Sequence, residues 1–427
     1  MDIKKDPHIL VISNNCLSET NSNGRTLSGL LRGWERACVA QLFIYPGEPG
    51  TTVCNHYFRI TDYEMLLHFF THRPCGKKIF VDNPKNFDTS LEDSWNAHKA
   101  KFKKGALSCL IREFIWKFGN WKTNTLLSWI RDFKPDCILL QAGNTAFLCN
   151  MACILCREFG NLPLFVYQSE DYYLKRIKGI SLLKRLNKQI LSHVFQKMMK
   201  KAAFCIYSCE MLQLSYQKYF NTPGCVIYTA SNMTANVELY HREIPVISYI
   251  GNTGVDRWRA LDEFGKALLC IDSRYVLDIY APEPEQEAKR VFLSNPGISY
   301  HGFMSYEQTK QVINNSDLLL QTEYHSEFIK EDLKHAFSTK IADYLASGRC
   351  IFVYAPAVIA STKYLKENEA ACVAENEIQL TDKLREILSD ESLREYYSIS
   401  AVKLAHLNHD SHMISQKFKT IIMEHVT

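Results

Sequence analysis

No stretch of the 427-residue sequence reaches the roughly 18 uncharged apolar residues of a membrane span, and the most apolar region, Cys137 to Cys156, is interrupted by Gln141, Asn144 and Asn150. No integral membrane anchor is expected. The only apolar run near the N-terminus, His8 to Ile12, is too brief for the core of an export signal, which points to a cytoplasmic chain. A disulfide or metal framework is also missing. The 15 cysteines are odd in number and lie mostly inside apolar runs, and the Cys153-x-x-Cys156 spacing has neither a second pair nor a flanking histidine. Reduced thiols packed as small hydrophobes are expected. Gly-x-Gly-x-x-Gly is absent as well, which argues against a dehydrogenase.

Hydrophobic residues make up 46% and charged residues 22%, ordinary values for globular domains, and at roughly 100–200 residues per domain the length suits two domains or three. The net charge of +4 is unevenly spread: residues 1–242 carry 31 Lys+Arg against 19 Asp+Glu, and the remainder 19 against 27. The two parts therefore present different surfaces to their partners. Short β-branched runs alternate with longer amphipathic ones, the cadence of β-α-β units around a parallel sheet. Strands are expected at His8–Ser13, Ala40–Tyr45, Asp136–Leu140, Leu164–Tyr167, Phe204–Tyr207 and Cys225–Tyr228. Helices are expected near Gly24–Arg36 and Leu107–Arg131, with a less regular insert at Lys77–Lys104. A second series places strands at Pro245–Ile250, Val276–Tyr280, Ile298–His301, Asp317–Leu320, Cys350–Tyr354 and Ala371–Val373, then three helical segments. The fold class is α/β: Rossmann-like domains at 1–235 and 244–405, a polar linker at 236–243, and a final helix at 406–427. Strand C-termini of both domains would line the ligand cleft.

Three helix starts could hold an anion. Ser22-Asn23-Gly24-Arg25-Thr26 opens a helix after the first strand, where free N–H groups attract a phosphate and Gly24 allows close approach; a plain turn and cap would read the same way. Gly251-Asn252-Thr253-Gly254-Val255-Asp256-Arg257 follows the first strand of the second domain. Arg257 and Arg259 stand in a first helical turn, where the dipole prefers anions, and either a bound phosphate or a solvated face accounts for them. The stretch His335-Ala336-Phe337-Ser338-Thr339-Lys340-Ile341-Ala342-Asp343 precedes Ala346-Ser347-Gly348 and a strand. Ser338 and Thr339 read as N-caps, with Lys340 in the first turn and Asp343 one turn on. Hydroxyls, amides and Lys340 would suit a diphosphate, and the carboxylate a ribose. A capped helix with a surface ion pair is the plainer alternative.

This stretch resembles the donor-binding motif of retaining GT-B glycosyltransferases of the family-4 type, found in bacterial capsule, O-antigen and exopolysaccharide assembly, in which Glu-x7-Glu precedes Ala-x-x-Gly and a strand. Asp343 matches the second Glu, and His335 stands where the first would be. The similarity covers nearly the whole chain. Gly251–Arg257 resembles the family's diphosphate loop, with Asn252 in place of its Arg and Arg257 in place of its Lys. His301-Gly302-Phe303-Met304 resembles its nucleobase-side turn, and Asn23-Gly24 its N-terminal glycine loop. Gln141 occupies the position of a catalytic-site His found in some relatives. The resemblance implies a GT-B fold with its C-terminal helix crossing back to the N-terminal domain. It further implies a nucleoside-diphosphate-sugar donor, UDP ahead of GDP, retention at the anomeric carbon, and no cofactor. No Asp-x-Asp occurs in the sequence, so no metal site of that kind is expected, and the charge on the departing diphosphate falls to Arg257, Lys340, Ser338 and Thr339. Arg257, Lys340, His335 and Gln141 are expected at the reacting centre, with Phe337 and the other motif residues around the donor.

Glu170 and Asp171, at a strand end, are candidates for acceptor contacts, an ordinary helix cap being the alternative. Leu174 to Ala202 holds nine basic residues and no acidic one, with Leu183, Leu186, Ile190, Val194 and Met198 at helical spacing. Lys99 to Lys122 is a second basic stretch, with Trp116 and Trp121 expected at the surface. Both lie in the acceptor half of the resembling fold. Peripheral docking on the inner face of the cytoplasmic membrane is expected, where the enzyme would meet a polyprenyl-diphosphate-linked glycan; apolar stripes packed on the sheet beneath solvated lysines are the alternative. No nucleic-acid partner is expected. A glycosyltransferase leads, with a sugar-nucleotide epimerase of the same fold and a non-catalytic nucleotide-sugar-binding homologue or partner scaffold as alternatives.

Overall fold

The structure is a computed structural model in which residues 6–19, 22–81, 105–175, 181–236 and 242–426 are described. It divides into two units, Met1–Ile227 together with His412–Thr427, and Tyr228–Ser411. The first unit stops at Ile227, ahead of the expected 235, because Tyr228 already packs on Tyr364 and His409 at ring-centroid distances of 4.8 and 5.3 Å. Most of the expected linker, residues 237–241, lies outside the described residues.

The first unit holds β1 (Ile9–Ser13), β2 (Val39–Phe43), β3 (His56–Arg59), β4 (Lys77–Phe80), β5 (Cys137–Gln141), β6 (Leu164–Gln168), β7 (Phe204–Tyr207) and β8 (Gly224–Val226). They form one sheet in the order β4-β3-β2-β1-β5-β6-β7-β8, parallel except where β4 runs antiparallel to β3. The central strand β1, Ile-Leu-Val-Ile-Ser, is buried on both faces, which is why it reads as a continuous apolar run. The strands β3 and β4 were not expected. Each has only four residues, β3 begins with His56 and ends with Arg59, and β4 places Lys77 and Lys78 at an exposed edge, so neither offers an apolar signal. The expected helix over Leu107–Arg131 is two helices, Ala106–Phe118 and Asn124–Phe133. Gly119 follows the first, and the Thr123 hydroxyl, accepting from the Leu126 N–H at 3.2 Å, caps the second. The final helix, Ser411–Val426, belongs to this unit: Phe418 packs on Trp34 at 5.8 Å, His425 on Phe204 at 5.1 Å, and Lys417 Nζ donates to the Val226 carbonyl.

The second unit holds β9 (Ile247–Ile250), β10 (Leu277–Tyr280), β11 (Ile298–Gly302), β12 (Leu318–Thr322), β13 (Cys350–Tyr354) and β14 (Cys372–Ala374), all parallel, in the order β11-β10-β9-β12-β13-β14. Ile247, Tyr249, Phe264, Leu320 and Phe352 are at the centre of its core. The chain lays down β9, β10 and β11 outward in one direction and then returns to the other side of β9 with β12. In an open parallel sheet this reversal leaves a crevice at the C-terminal strand ends, the usual ligand position. All fifteen cysteines are free thiols, most of them buried, and burial raises the thiol pKa values of Cys153 and Cys156.

Candidate functional site

The reversal beside β9 brings together the loop after β9, the residue after β12 and the helix Lys340–Ser347. Gly251 follows β9 with φ 151°; a Cβ there would lie 3.2 Å from Lys340 Nζ and 3.3 Å from the Tyr249 hydroxyl. Glycine therefore lets the ammonium reach the backbone. Lys340 Nζ donates to the Ile250 carbonyl at 3.2 Å and stands 4.2 Å from the centroid of the Tyr249 ring. The loop next takes Val255 and Asp256 through φ 59° and 57°, an uncommon conformation for a β-branched residue that costs about 1–3 kcal/mol. The helix Arg257–Leu269 begins immediately afterwards, with Arg257 directed at Glu323, the residue following β12.

Arg257 Nη2 donates to Glu323 Oε1 at 2.8 Å, and its Nε lies 2.8 Å from Oε2. Glu323 is only 4% exposed. Burial raises its carboxyl pKa, opposed by Arg257 and Lys340. Burial, reinforced by the Arg257 charge and opposed by Glu323, pulls the Lys340 ammonium down to about 7. With Lys340 protonated, the cluster has two cations and one anion, and so is one negative charge short of neutral. The helix Lys340–Ser347 starts beside it. Thr339 occupies the cap position in a helical conformation without a side-chain cap, so the capping role expected of Ser338 and Thr339 is not performed. The Ile341 N–H is taken by the Ser338 carbonyl at 3.2 Å, and a helix start without a side-chain cap, its dipole and two cations together suit an anion.

The other sequence-derived candidates are placed differently. Asn252 Oδ1 accepts from the Gly254 N–H at 2.5 Å, and its carbonyl accepts from the Tyr249 hydroxyl, so its side chain closes its own loop. Asp343 is 3% exposed and accepts from the Ser231 hydroxyl at 2.6 Å; its carboxylate faces Ser231 rather than an open surface. Phe337 packs on Tyr228 and Tyr364 at 5.2 and 5.1 Å, in an aromatic cluster with His409, whose pKa burial pushes down to about 4. His335, partly exposed, lies between the helices Glu327–Leu333 and Lys340–Ser347. Gly302, at φ 82°, ends the edge strand β11 with open space at its missing Cβ, followed by the 77% exposed Phe303 and the half-buried Met304. That turn offers an open aromatic face to a flat ring.

In the first unit, a Cβ on Gly24 would lie 2.3 Å from the Cys16 carbonyl oxygen. Gly24 thus admits the chain's own loop, and a carbonyl stands close to the helix start at Asn23 where a phosphate was expected. Gln141 ends β5 and is 5% exposed. Asp171 Oδ1 accepts from the N–H groups of Tyr173 and Leu174 and from the Tyr216 hydroxyl, a local cap, while Glu170 is exposed. Trp116 and Trp121 are buried, contrary to expectation: the Trp116 indole donates to Asp62 and its ring stacks on Phe147. Two acids escaped the sequence reading. Glu323 had one signal, its position directly after the apolar run of β12. Glu113 had none; its two oxygens accept from the N–H groups of Ala146 and Phe147 at the start of the helix Ala146–Glu158, and burial raises its pKa to about 7.

Residues 259–421 match the family model described as Glycosyl transferase-like. The match takes in Glu323, Lys340 and Asp343 and begins just after Arg257. In three dimensions the chain is similar to sucrose-phosphate synthase from Thermosynechococcus elongatus, 11% identical with a TM-score of 0.63, over 97% of this chain and 98% of that one. Anabaena HepE in complex with UDP is similar to the same degree, 11% identical with a TM-score of 0.63, over 97% and 99% of the two chains. A glycosyltransferase from Rickettsia africae is 11% identical with a TM-score of 0.60 over 99% of both. At such identities the likeness is one of fold, the GT-B fold of two parallel-sheet Rossmann-like domains. No curated protein matches the chain in sequence.

Proposed function

We propose that the protein transfers a sugar from a nucleoside-diphosphate sugar to a glycan acceptor, with retention at the anomeric carbon and without a metal. The observation that carries this reading is the Arg257–Glu323–Lys340 cluster at the reversal of the second sheet, one negative charge short and adjoining an uncapped helix start. A diphosphate there supplies the missing charge. As the bond from the anomeric carbon to the diphosphate breaks, negative charge grows on the leaving group, and Arg257, Lys340 and the helix N–H groups stabilise it. Glu323 holds Arg257 in place. The base lies against Phe303, where Gly302 leaves room. UDP is the proposed nucleotide, in keeping with the HepE complexes with UDP and with UDP-glucose. The acceptor is a glycan on a polyprenyl diphosphate, met at the inner face of the cytoplasmic membrane, with Glu170 as the exposed carboxylate available to it.

Purified protein incubated with a panel of sugar nucleotides should release a nucleoside diphosphate, faster with acceptor and unchanged by a divalent-metal chelator. No release from any donor, or activity lost to chelator and restored by Mg²⁺ or Mn²⁺, would overturn the assignment of the leaving group to Arg257 and Lys340. The pH dependence follows from Lys340. An anionic diphosphate favours the protonated ammonium, so donor affinity should hold below about 7 and fall as pH rises through that value. Calorimetry at about pH 8 in buffers of differing ionisation heat should record proton uptake on binding. An affinity that stays flat across this range would exclude Lys340 from the donor site.

A further inference from the structure

The helix Ala106–Phe118 is apolar on both sides. Its inner side carries the buried Ile115 and Trp116, the Arg112–Asp62 ion pair at 2.8 Å, and Glu113 turned onto the N–H groups of Ala146 and Phe147. Its outer side carries Leu107, Ile111, Phe114 and Phe118, between 42% and 61% exposed, where a surface helix ordinarily places polar residues. Phe114 lies 4.7 Å from Phe118 and 5.9 Å from Phe69, which in turn touches the 71% exposed Phe70, so the apolar ridge continues onto the helix Asp62–Thr71. The helix Leu182–Lys201 packs alongside. Its expected stripe is divided: Val194 and Met198 are buried, while Leu183 and Leu186, with Leu182, are exposed. Of the flanking basic stretches, residues 99–104 and 176–180 lie outside the described residues.

The charges that face outward here are basic: on Asp62–Thr71, Asp62 is buried against Arg112 and Trp116, and Glu64 is turned back onto Thr61. Lys117 stands 5.3 Å from the centroid of the Phe118 ring, Lys184 and Arg185 sit between Leu183 and Leu186, and Arg73 follows the helix that bears Phe70. Leu182–Lys201 contains no acidic residue, and the one acid of Ala106–Phe118 is turned inward. Exposed rings and leucines interleaved with cations complement an anionic lipid surface, apolar just below a layer of phosphates. We propose that this face docks on a bilayer containing anionic phospholipid, with Phe114, Phe118 and Leu182 entering the boundary between headgroups and acyl chains and Lys117, Lys184 and Arg185 lying on the phosphates. It does not depend on what the second unit binds.

Flotation of the full chain with phosphatidylglycerol-containing vesicles, against phosphatidylcholine alone, tests it. Binding is expected only to the anionic vesicles and should weaken at high salt. Phe114→Ser with Phe118→Ser should weaken it by at least about tenfold, and Lys184→Glu with Arg185→Glu should remove its salt-sensitive part, with thermal melting of each variant unchanged. Wild-type protein left unbound at low salt, or variants that bind as wild type does, would overturn the proposal. So would a wild-type dimer that Phe114→Ser with Phe118→Ser dissociates in the absence of lipid binding, since a second copy would then be the occupant.

Discussion

Arg257→Ala is expected to cost about 3–5 kcal/mol of stability as well as turnover, because it leaves Glu323 buried without its partner. The two losses have different causes and can be separated. Glu323→Gln in the same chain removes the orphaned charge, so the double variant should regain most of the stability, yet still lack the cation that faces the leaving group. Urea unfolding and nucleoside-diphosphate release, measured on wild type, both single variants and the double variant, give the full cycle. Full stability in Arg257→Ala alone would mean that the pair contributes little to folding. Turnover restored in the double variant would remove Arg257 from the reaction and leave it as a counter-ion for Glu323.

Lys340→Met should behave in the opposite way. Burial and Arg257 already depress the ammonium, so the folded chain gives up a proton that the unfolded chain holds more tightly. Between about 7 and about 10 the unfolded state binds more protons, and wild-type stability should therefore rise with pH across that window. In Lys340→Met the rise should be missing, and at neutral pH the variant should be no less stable than wild type. Donor affinity should nevertheless fall by roughly 10- to 150-fold, the equivalent of a charge-assisted contact of about 1.5–3 kcal/mol. A variant that melts lower and binds the donor normally would recast Lys340 as a support for the loop after β9.

The elements that were legible in the sequence are those buried on two faces. The strands β1, β5, β6 and β13 read as unbroken apolar runs because helices cover both sides of a parallel sheet. The strands β3 and β4 did not, since a short strand next to an exposed lysine edge has no reason to be apolar. Within the site, Arg257 and Lys340 were visible as cations in first helical turns that disfavour cations. Their counter-ion was not. Glu323 is separated from Arg257 by 66 positions, and only the return of β12 to the side of β9 makes them neighbours. Periodicity also could not tell which end of a stripe is covered: the same spacing carries Met198 into the core and leaves Leu183 outside. Gly24 illustrates a different ambiguity, because a glycine that admits a ligand and one that admits a neighbouring carbonyl look the same in sequence.

The helix Ser411–Val426 imposes an order on biosynthesis. Phe418 is fully buried against Trp34, and His425 rests on Phe165 and Phe204, so the first unit is closed by residues that are synthesised only after the second unit. While the ribosome is still adding the second unit, the first has every strand of its sheet but lacks this cover. The first unit must therefore wait, with a patch of its core uncovered, until the whole of the second unit has been synthesised.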